Sequence, residues 1–243
     1  MRALVILPTF NELENIEEIL RRTRAAAPDA DVLVIDDSSP DGTADRAEKV
    51  GLELGQIEIL RRPTKLGLGS GYRAGFRIGL AKGYDALVEM DSDFSHDPDV
   101  LPTLLGRVAD GADLVIGSRY VPGGSIPDWP IARRTISRGG CLYARTALGL
   151  HVQDATAGYR AYSARILRRI DLDSVRADGY GFQVEMTYLT ERLGGRVEEV
   201  PIEFRDRTLG TSKMSIRIVV EAFLLVTWWG LRDRTRRLVR RRV

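Results

Sequence analysis

Cysteine is nearly absent from this sequence. Cys141 stands alone, which excludes an internal disulfide framework. Histidine is almost as scarce: His96 and His151 are the only two, so no zinc-type Cys/His cluster can form. The glycine loop at Lys65-Leu66-Gly67-Leu68-Gly69-Ser70-Gly71 has no Gly-Lys-Ser/Thr ending, which excludes a Walker loop, and it falls short of a full Gly-x-Gly-x-x-Gly. Long apolar runs are missing too. The best candidate, Ile216 to Leu231, is interrupted by Arg217, Glu221 and Thr227 and is too short for a transmembrane span. Strand-like sequence begins almost at Met1, so no cleavable signal peptide is expected. The working part of the chain is then expected on the cytoplasmic side.

What is present suits a folded α/β protein. The chain has 243 residues, 44% of them hydrophobic, enough to bury a real core. The net charge of +2 is unevenly spread. Residues 232–243 hold seven arginines and one aspartate, +6, so the preceding 231 residues carry −4. A basic tail on a slightly acidic body points to an anionic membrane surface or to nucleic acid. No aromatic-interleaved basic face extends beyond the tail, which argues against nucleic acid. Trp228 and Trp229, with arginines beyond them, fit an amphipathic helix at the membrane interface; the competing reading is a core helix with a solvated basic end.

Short apolar runs alternate with helical patterns. Arg2–Pro8, Asp31–Asp37, Gln56–Leu60, Tyr84–Met90, Ala112–Gly117 and Arg196–Phe204 read as strands. Leu13, Ile16, Ile19 and Leu20 make a helical stripe, with Asn11 and Glu14 placed as a capping box. Helices are also expected after the glycine loop, at Pro98–Val108, at Ile131–Leu148 and at Gly181–Leu193. Such alternation predicts a Rossmann-like, mostly parallel sheet flanked by helices.

The chemistry gathers where strands end. Asp91-Ser92-Asp93 follows the fourth strand, at the edge where open parallel sheets bind ligands. Two hard carboxylates suit Mg²⁺ or Mn²⁺ completed by substrate phosphates, although Asp-rich turns are common without any such role. Glycines before a helix let amides approach a phosphate; an ordinary strand-to-helix turn has the same look. Arg119 ends the fifth strand, placed as a phosphate partner or as the partner of a nearby acid. Arg133 and Ser137 are four apart and share a helix face. Arg205 to Lys213 is a basic loop of the kind that closes over an anion, and Asp154 and Glu185 are the first candidates if a general base is needed.

In order, Pro8-Thr9-Phe10-Asn11-Glu12, Asp36 to Thr43, the glycine loop, Asp91-Ser92-Asp93, Gly117 to Tyr120, Asp154 to Arg160 and Gly210-Thr211-Ser212-Lys213 make a set. That set resembles the family-2 glycosyltransferases of the GT-A fold, and among them the polyprenol-phosphate (dolichol-phosphate) mannosyltransferases. The resemblance covers residues 1–213 as a catalytic domain and leaves 214–243 as an amphipathic, Arg-rich membrane-interfacial segment. It implies transfer of mannose from GDP-mannose to a polyprenyl phosphate, with inversion. Pro8, Phe10, Glu12, Ile35, Asp37, Met90, Asp91, Ser92, Asp93, Arg119, Arg207 and Lys213 match the family's donor site. Arg119, Arg133, Ser137 and Arg207 match its acceptor-phosphate site, and Asp91, Asp93 and Ser95 its Mg²⁺ or Mn²⁺ site. Asp91, Asp93 and Arg119 are the implied catalytic residues. Ser95 stands where some members carry Gln, a longer side chain. The implied location is peripheral, on the cytoplasmic face, with a separate membrane-anchor protein as a further partner. Two other readings keep the fold: a UDP-glucose donor, and a non-catalytic membrane adaptor.

Overall fold

The computed structural model describes residues 1–206 and 223–232. Arg207, Lys213 and the expected domain boundary at 213 lie outside the described residues. The elements alternate as the sequence predicts: β1 (Ala3–Thr9), α1 (Leu13–Ala26), β2 (Asp31–Asp36), α2 (Thr43–Leu54), β3 (Ile57–Arg61), α3 (Leu68–Ala81) and β4 (Ala86–Glu89). A turn of 3-10 helix at Pro98–Val100 leads into α4 (Leu101–Ala109), followed by β5 (Leu114–Ser118), α5 (Ile131–Leu148) and β6 (Arg160–Ser163). Then come α6 (Ala164–Leu167), α7 (Gly179–Arg192) and β7 (Val197–Pro201). Residues 223–232 form a further helix.

Seven strands make one sheet in the order β3-β2-β1-β4-β6-β5-β7. All pairings are parallel except those of β6, which runs antiparallel between β4 and β5. Strand period 2 explains why β1 is apolar throughout: Leu4 and Ile6 enter the core on one face, Val5 and Leu7 the core on the other. The chain leaves β1 toward β2 on one side and reaches β4 on the other, so a crevice opens beyond the carboxyl ends of β1 and β4. Pro8 to Glu12 and Asp91 to Asp93 both stand at that crevice.

Helix α3 lies close to the sheet because glycines face it. A Cβ on Gly75 would come within 2.7 Å of Ile6 Cγ2, and one on Gly79 would collide with Leu87. The neighbouring face of α3 carries Tyr72 and Phe76 into the core.

The expected capping box does not form. Asn11 adopts a left-handed conformation, φ 55°, and α1 has no side-chain cap of its own. The loop after β2 caps it instead. Leu13 N–H donates to Asp41 Oδ2 at 3.1 Å, Glu12 N–H to Thr43 Oγ1 at 3.0 Å, and Asn11 N–H to Ser39 Oγ at 3.0 Å. Helix starts need acceptors for their first amides, and here they come from 28 to 31 residues downstream.

Residues 223–232 pack inward through Val226 and Trp229, which join the main core; Trp229 stacks on Tyr188 with ring centroids 6.1 Å apart. Phe223, Leu224, Trp228 and Leu231 remain exposed. The helix thus has apolar side chains on both its inner and its outer face. No helix among the described residues is long and apolar enough to cross a membrane.

Candidate active site

Two cavities meet at the start of α7. The first is a cleft of about 990 Å³ lined by Pro8, Thr9, Phe10, Glu12, Asp37, Lys65, Gly67, Leu68, Asp91, Ser92, Asp93, Asp178 and Gly179. The second, about 770 Å³, is mainly apolar and is lined by Trp129, Arg133, Ile136, Ser137, Tyr143, Tyr180, Val184, Phe223 and Val226, among others. Gly179 belongs to the cleft and Tyr180 to the apolar cavity, so consecutive residues line the two.

The cleft is built from strand ends. β1 delivers Pro8, Thr9 and Phe10, and β4 delivers the acid pair. Asp91 Oδ1 accepts the Tyr72 hydroxyl at 3.2 Å. Asp93 is buried, and its Oδ1 accepts both the Ser95 hydroxyl, at 2.6 Å, and the Ser95 N–H, at 3.1 Å. The Ser95 side chain therefore stands behind Asp93, the carboxylate it orients. Asp37 pairs with buried Arg62 and accepts Leu66 N–H at 3.2 Å, while Arg62 donates to Ser70 Oγ at 2.9 Å and to the Gly67 carbonyl at 3.3 Å. Arg62 so ties the end of β2 to the glycine loop. Lys65 lies over the Phe10 ring, 4.1 Å from its centroid.

The glycine loop opens α3 as expected, but an internal carboxylate already meets its amides. Gly69 N–H donates to Asp178 Oδ1 at 2.6 Å, and Gly67, at φ 90°, leaves room for that carboxylate against its backbone. Asp178 caps the helix the glycines begin. Ile35 and Met90, expected at the donor, are fully buried in the core and do not line the cleft.

Arg119 differs from its placement as a phosphate partner. It is buried and donates through Nε and Nη2 to Asp154 at 2.7 and 2.6 Å, and through Nη2 to Thr156 Oγ1 at 2.9 Å. Burial works against the charge of each partner. Their mutual attraction prevails, holding the Arg119 pKa above and the Asp154 pKa below its ordinary value. Asp154 is therefore a weak base, not a proton acceptor in waiting. Glu185, the other candidate base, lines neither cavity; burial raises its pKa, and it accepts Ala177 N–H at 3.2 Å.

Arg133 and Ser137 do share a face of α5 and both line the apolar cavity. The Arg133 guanidinium lies 3.9 Å above the centroid of the Trp129 ring and donates to Asp206 at 2.8 and 2.9 Å. Ser137 Oγ accepts the Tyr120 hydroxyl at 2.7 Å.

A divalent cation fits the acid pair by donor chemistry. Asp91 and Asp93 offer hard oxygens into one cleft, while the described residues contain no group of three or more His, Cys, Asp or Glu disposed to hold a metal. Two carboxylates leave most of the coordination shell to water and to a ligand's phosphates, as Mg²⁺ and Mn²⁺ accept.

Sequence reasoning missed Tyr72, Arg62 and Asp178. Each acts on a partner 19 to 109 residues away. A tyrosine among four glycines and an arginine two residues past a strand were the available signals.

A mostly parallel sheet with one antiparallel strand, opening at the switch between β1 and β4, is the GT-A glycosyltransferase fold. Residues 4–171 match the model for glycosyl transferase family 2, and the chain belongs to that family. It is 57% identical over 234 residues to an undecaprenyl-phosphate mannosyltransferase of Micrococcus luteus, covering 96% of each chain. It is 47% identical to a polyprenol monophosphomannose synthase of Mycolicibacterium smegmatis, covering 98% of this chain and 92% of that one. In fold it is similar, at TM-score 0.65 and 17% identity, to a mannosyltransferase from Pyrobaculum calidifontis in complex with GDP-Man and Mn²⁺; the likeness covers 96% of this chain and 64% of that one.

Proposed function

We propose that this chain transfers mannose from GDP-mannose to a polyprenyl phosphate, with inversion, to give a polyprenyl-phosphate mannose. The observation that carries the reading is the pair of cavities meeting at Gly179 and Tyr180. One is acidic, with Glu12, Asp37, Asp91, Asp93 and Asp178 on its lining; the other is more apolar and holds an arginine. A nucleotide sugar suits the first, with its diphosphate at Asp91 and Asp93. A lipid phosphate suits the second, with its head group on Arg133 and Ser137 and its first isoprene units against Ile136, Tyr143 and Val226. The names of the two full-length relatives support this choice of substrates.

A phosphate oxygen of the acceptor attacks the anomeric carbon, and the bond from that carbon to the donor diphosphate breaks. A divalent cation at Asp91 and Asp93 would supply Lewis-acid stabilisation of the departing diphosphate. The chain's own groups orient the reactants. Tyr72 and Ser95 hold the two carboxylates, and Trp129 and Asp206 hold Arg133. The nucleophile is already ionised above its second pKa of about 6, so no general base is required and the rate is expected to plateau above that pH.

The exposed Phe223, Leu224, Trp228 and Leu231, with the arginines after them, set the chain on an anionic membrane surface as a peripheral protein. The test of the reaction is incubation of radiolabelled GDP-mannose with polyprenyl phosphate and Mg²⁺ or Mn²⁺, scored for mannolipid. UDP-glucose is the competing donor. Glucolipid from UDP-glucose with no mannolipid would overturn the donor assignment, and no transfer from either would overturn the reaction.

A further inference from the structure

The first amide beyond the β4 ladder needs a partner. Met90 N–H still reaches across to the Ile6 carbonyl at 3.2 Å, but the next amide, that of Asp91, has left the sheet. It donates instead to a side chain, His96 Nδ1, at 3.0 Å. A backbone N–H can only donate, so Nδ1 carries no proton and a neutral ring carries it on Nε2. Nε2 lies 3.9 Å from Asp91 Oδ2, beside the carboxylate without a direct hydrogen bond.

The ring has little freedom. It stacks on Tyr159, centroids 4.9 Å apart and planes 13° apart, and Phe204 meets it edge-on at 5.9 Å. The Tyr159 hydroxyl in turn donates to the Asp97 carbonyl at 3.1 Å. Gly158 makes space for the arrangement, since a Cβ there would sit 3.3 Å from His96 Cε1. The turn also holds Phe94 in a left-handed conformation, φ 63°, which a bulky residue adopts only when its surroundings impose it.

We propose that His96 is a positioning residue for the cation site: through Nδ1 it fixes the backbone of Asp91, and so the direction of the carboxylate that binds the divalent ion. This rests on the reading of Asp91 as a cation ligand. The turn from 91 to 96 is closed by its own side chain rather than by the sheet. Without that closure, Asp91 keeps the Tyr72 contact but loses the anchor on its main chain. Groups that orient metal ligands from behind commonly change metal affinity by about ten- to a hundredfold when removed.

Two uncharged variants separate this role from packing. His96→Phe keeps a ring for Tyr159 and removes the acceptor. His96→Asn removes the ring but offers an amide oxygen to the Asp91 N–H. Binding of Mn²⁺ in the presence of GDP is read from the electron paramagnetic resonance of free Mn²⁺, alongside the Mn²⁺ dependence of turnover and the melting temperature. The expected result for His96→Phe is an Mn²⁺ half-saturation raised about tenfold, with turnover recovering at high Mn²⁺, and for His96→Asn a smaller rise. Wild-type half-saturation in His96→Phe overturns the proposal. So does a ranking of Mn²⁺ affinity that follows melting temperature instead of the acceptor. Asp91→Asn, measured in parallel, identifies the cause of failure: if it too binds Mn²⁺ as wild type does, the cation reading itself has failed.

Discussion

The two cavities hold their charges by opposite means. In the cleft, carboxylates are gripped by neutral hydrogen-bond donors: a tyrosine on Asp91, a serine on Asp93, backbone amides on Asp37 and Asp178, with one arginine behind Asp37. In the apolar cavity, a cation is laid on an aromatic face, Arg133 on Trp129, with a half-exposed carboxylate at its end. Neutral donors fix a carboxylate without cancelling its charge, so the cleft stays ready for a cation. An aromatic face likewise adds no opposing charge to an arginine; what offsets the Arg133 charge is the half-exposed Asp206. The buried pair of Arg119 and Asp154, which lines neither cavity, is treated in the reverse way: the two charges neutralise each other, buried and bidentate.

That buried pair is the place to break the contrast most severely. Asp154→Asn leaves the Arg119 charge buried and uncompensated, and a loss of about 3–5 kcal/mol of folding stability is expected, read by thermal or urea unfolding. The pH dependence follows from the Asp154 pKa being depressed in the folded state. The pair stabilises fully above the ordinary carboxylate value of 3.8, and its contribution is lost as pH falls through the lower folded value. The variant should lack that acid limb. Near-wild-type stability would mean Arg119 is open to a ligand, as the family resemblance implied.

Asp91→Asn strikes the cleft alone. Turnover should drop by about a hundredfold or more, the scale of an electrostatic group at a leaving charge, with folding intact. Full turnover would remove Asp91 from the cation site.

Arg133→Lys strikes the other side. It should raise the KM for polyprenyl phosphate about tenfold, roughly one charge-assisted hydrogen bond, while the KM for GDP-mannose stays put. A matching rise in both would show that the two cavities are not independent.

The smallest effect tests two neighbours on the last helix. Trp228 is exposed and Trp229 buried. Trp228→Ser should lower partitioning onto anionic liposomes about three- to fivefold and leave the melting temperature unchanged, because it loses part of one aromatic's transfer energy. Trp229→Ser should lower the melting temperature. If both act only on stability, the outer face is not a membrane contact.

Much of the cleft was legible before the fold, because its residues lie within a few positions of strand ends and apolar runs locate those ends. The acid pair was placed that way, while Pro8, Phe10, Glu12 and Asp37 came from the family resemblance; all of them line the cleft. What was illegible is the layer behind them. Arg62, Tyr72 and the Asp154 partner of Arg119 are set by contacts spanning 19 to 35 residues, which no local pattern encodes. The antiparallel β6 was hidden for a similar reason. Its four residues sit at the end of a polar, glycine-marked segment, and only pairing on both sides makes them a strand. Asn11 was misread because a local cap looked available, while the acceptors that win come from the loop after β2.

The glycines of α3 also carry a mechanical consequence. With Gly75 on Ile6 and Gly79 against Leu87, the helix is seated on the sheet at a depth that side chains of the sheet, not of the helix, determine. A rotation of the helix toward its neighbouring face would drive Tyr72 or Phe76 into the sheet, so the helix has a hard stop on that side. The reach of the Tyr72 hydroxyl to Asp91 is thereby gauged from the floor of the molecule. Engineering the cleft for another ligand can recut the rim at Phe10, Lys65 or Asp178, but the seat of α3 under Asp91 is fixed by Ile6 and Leu87.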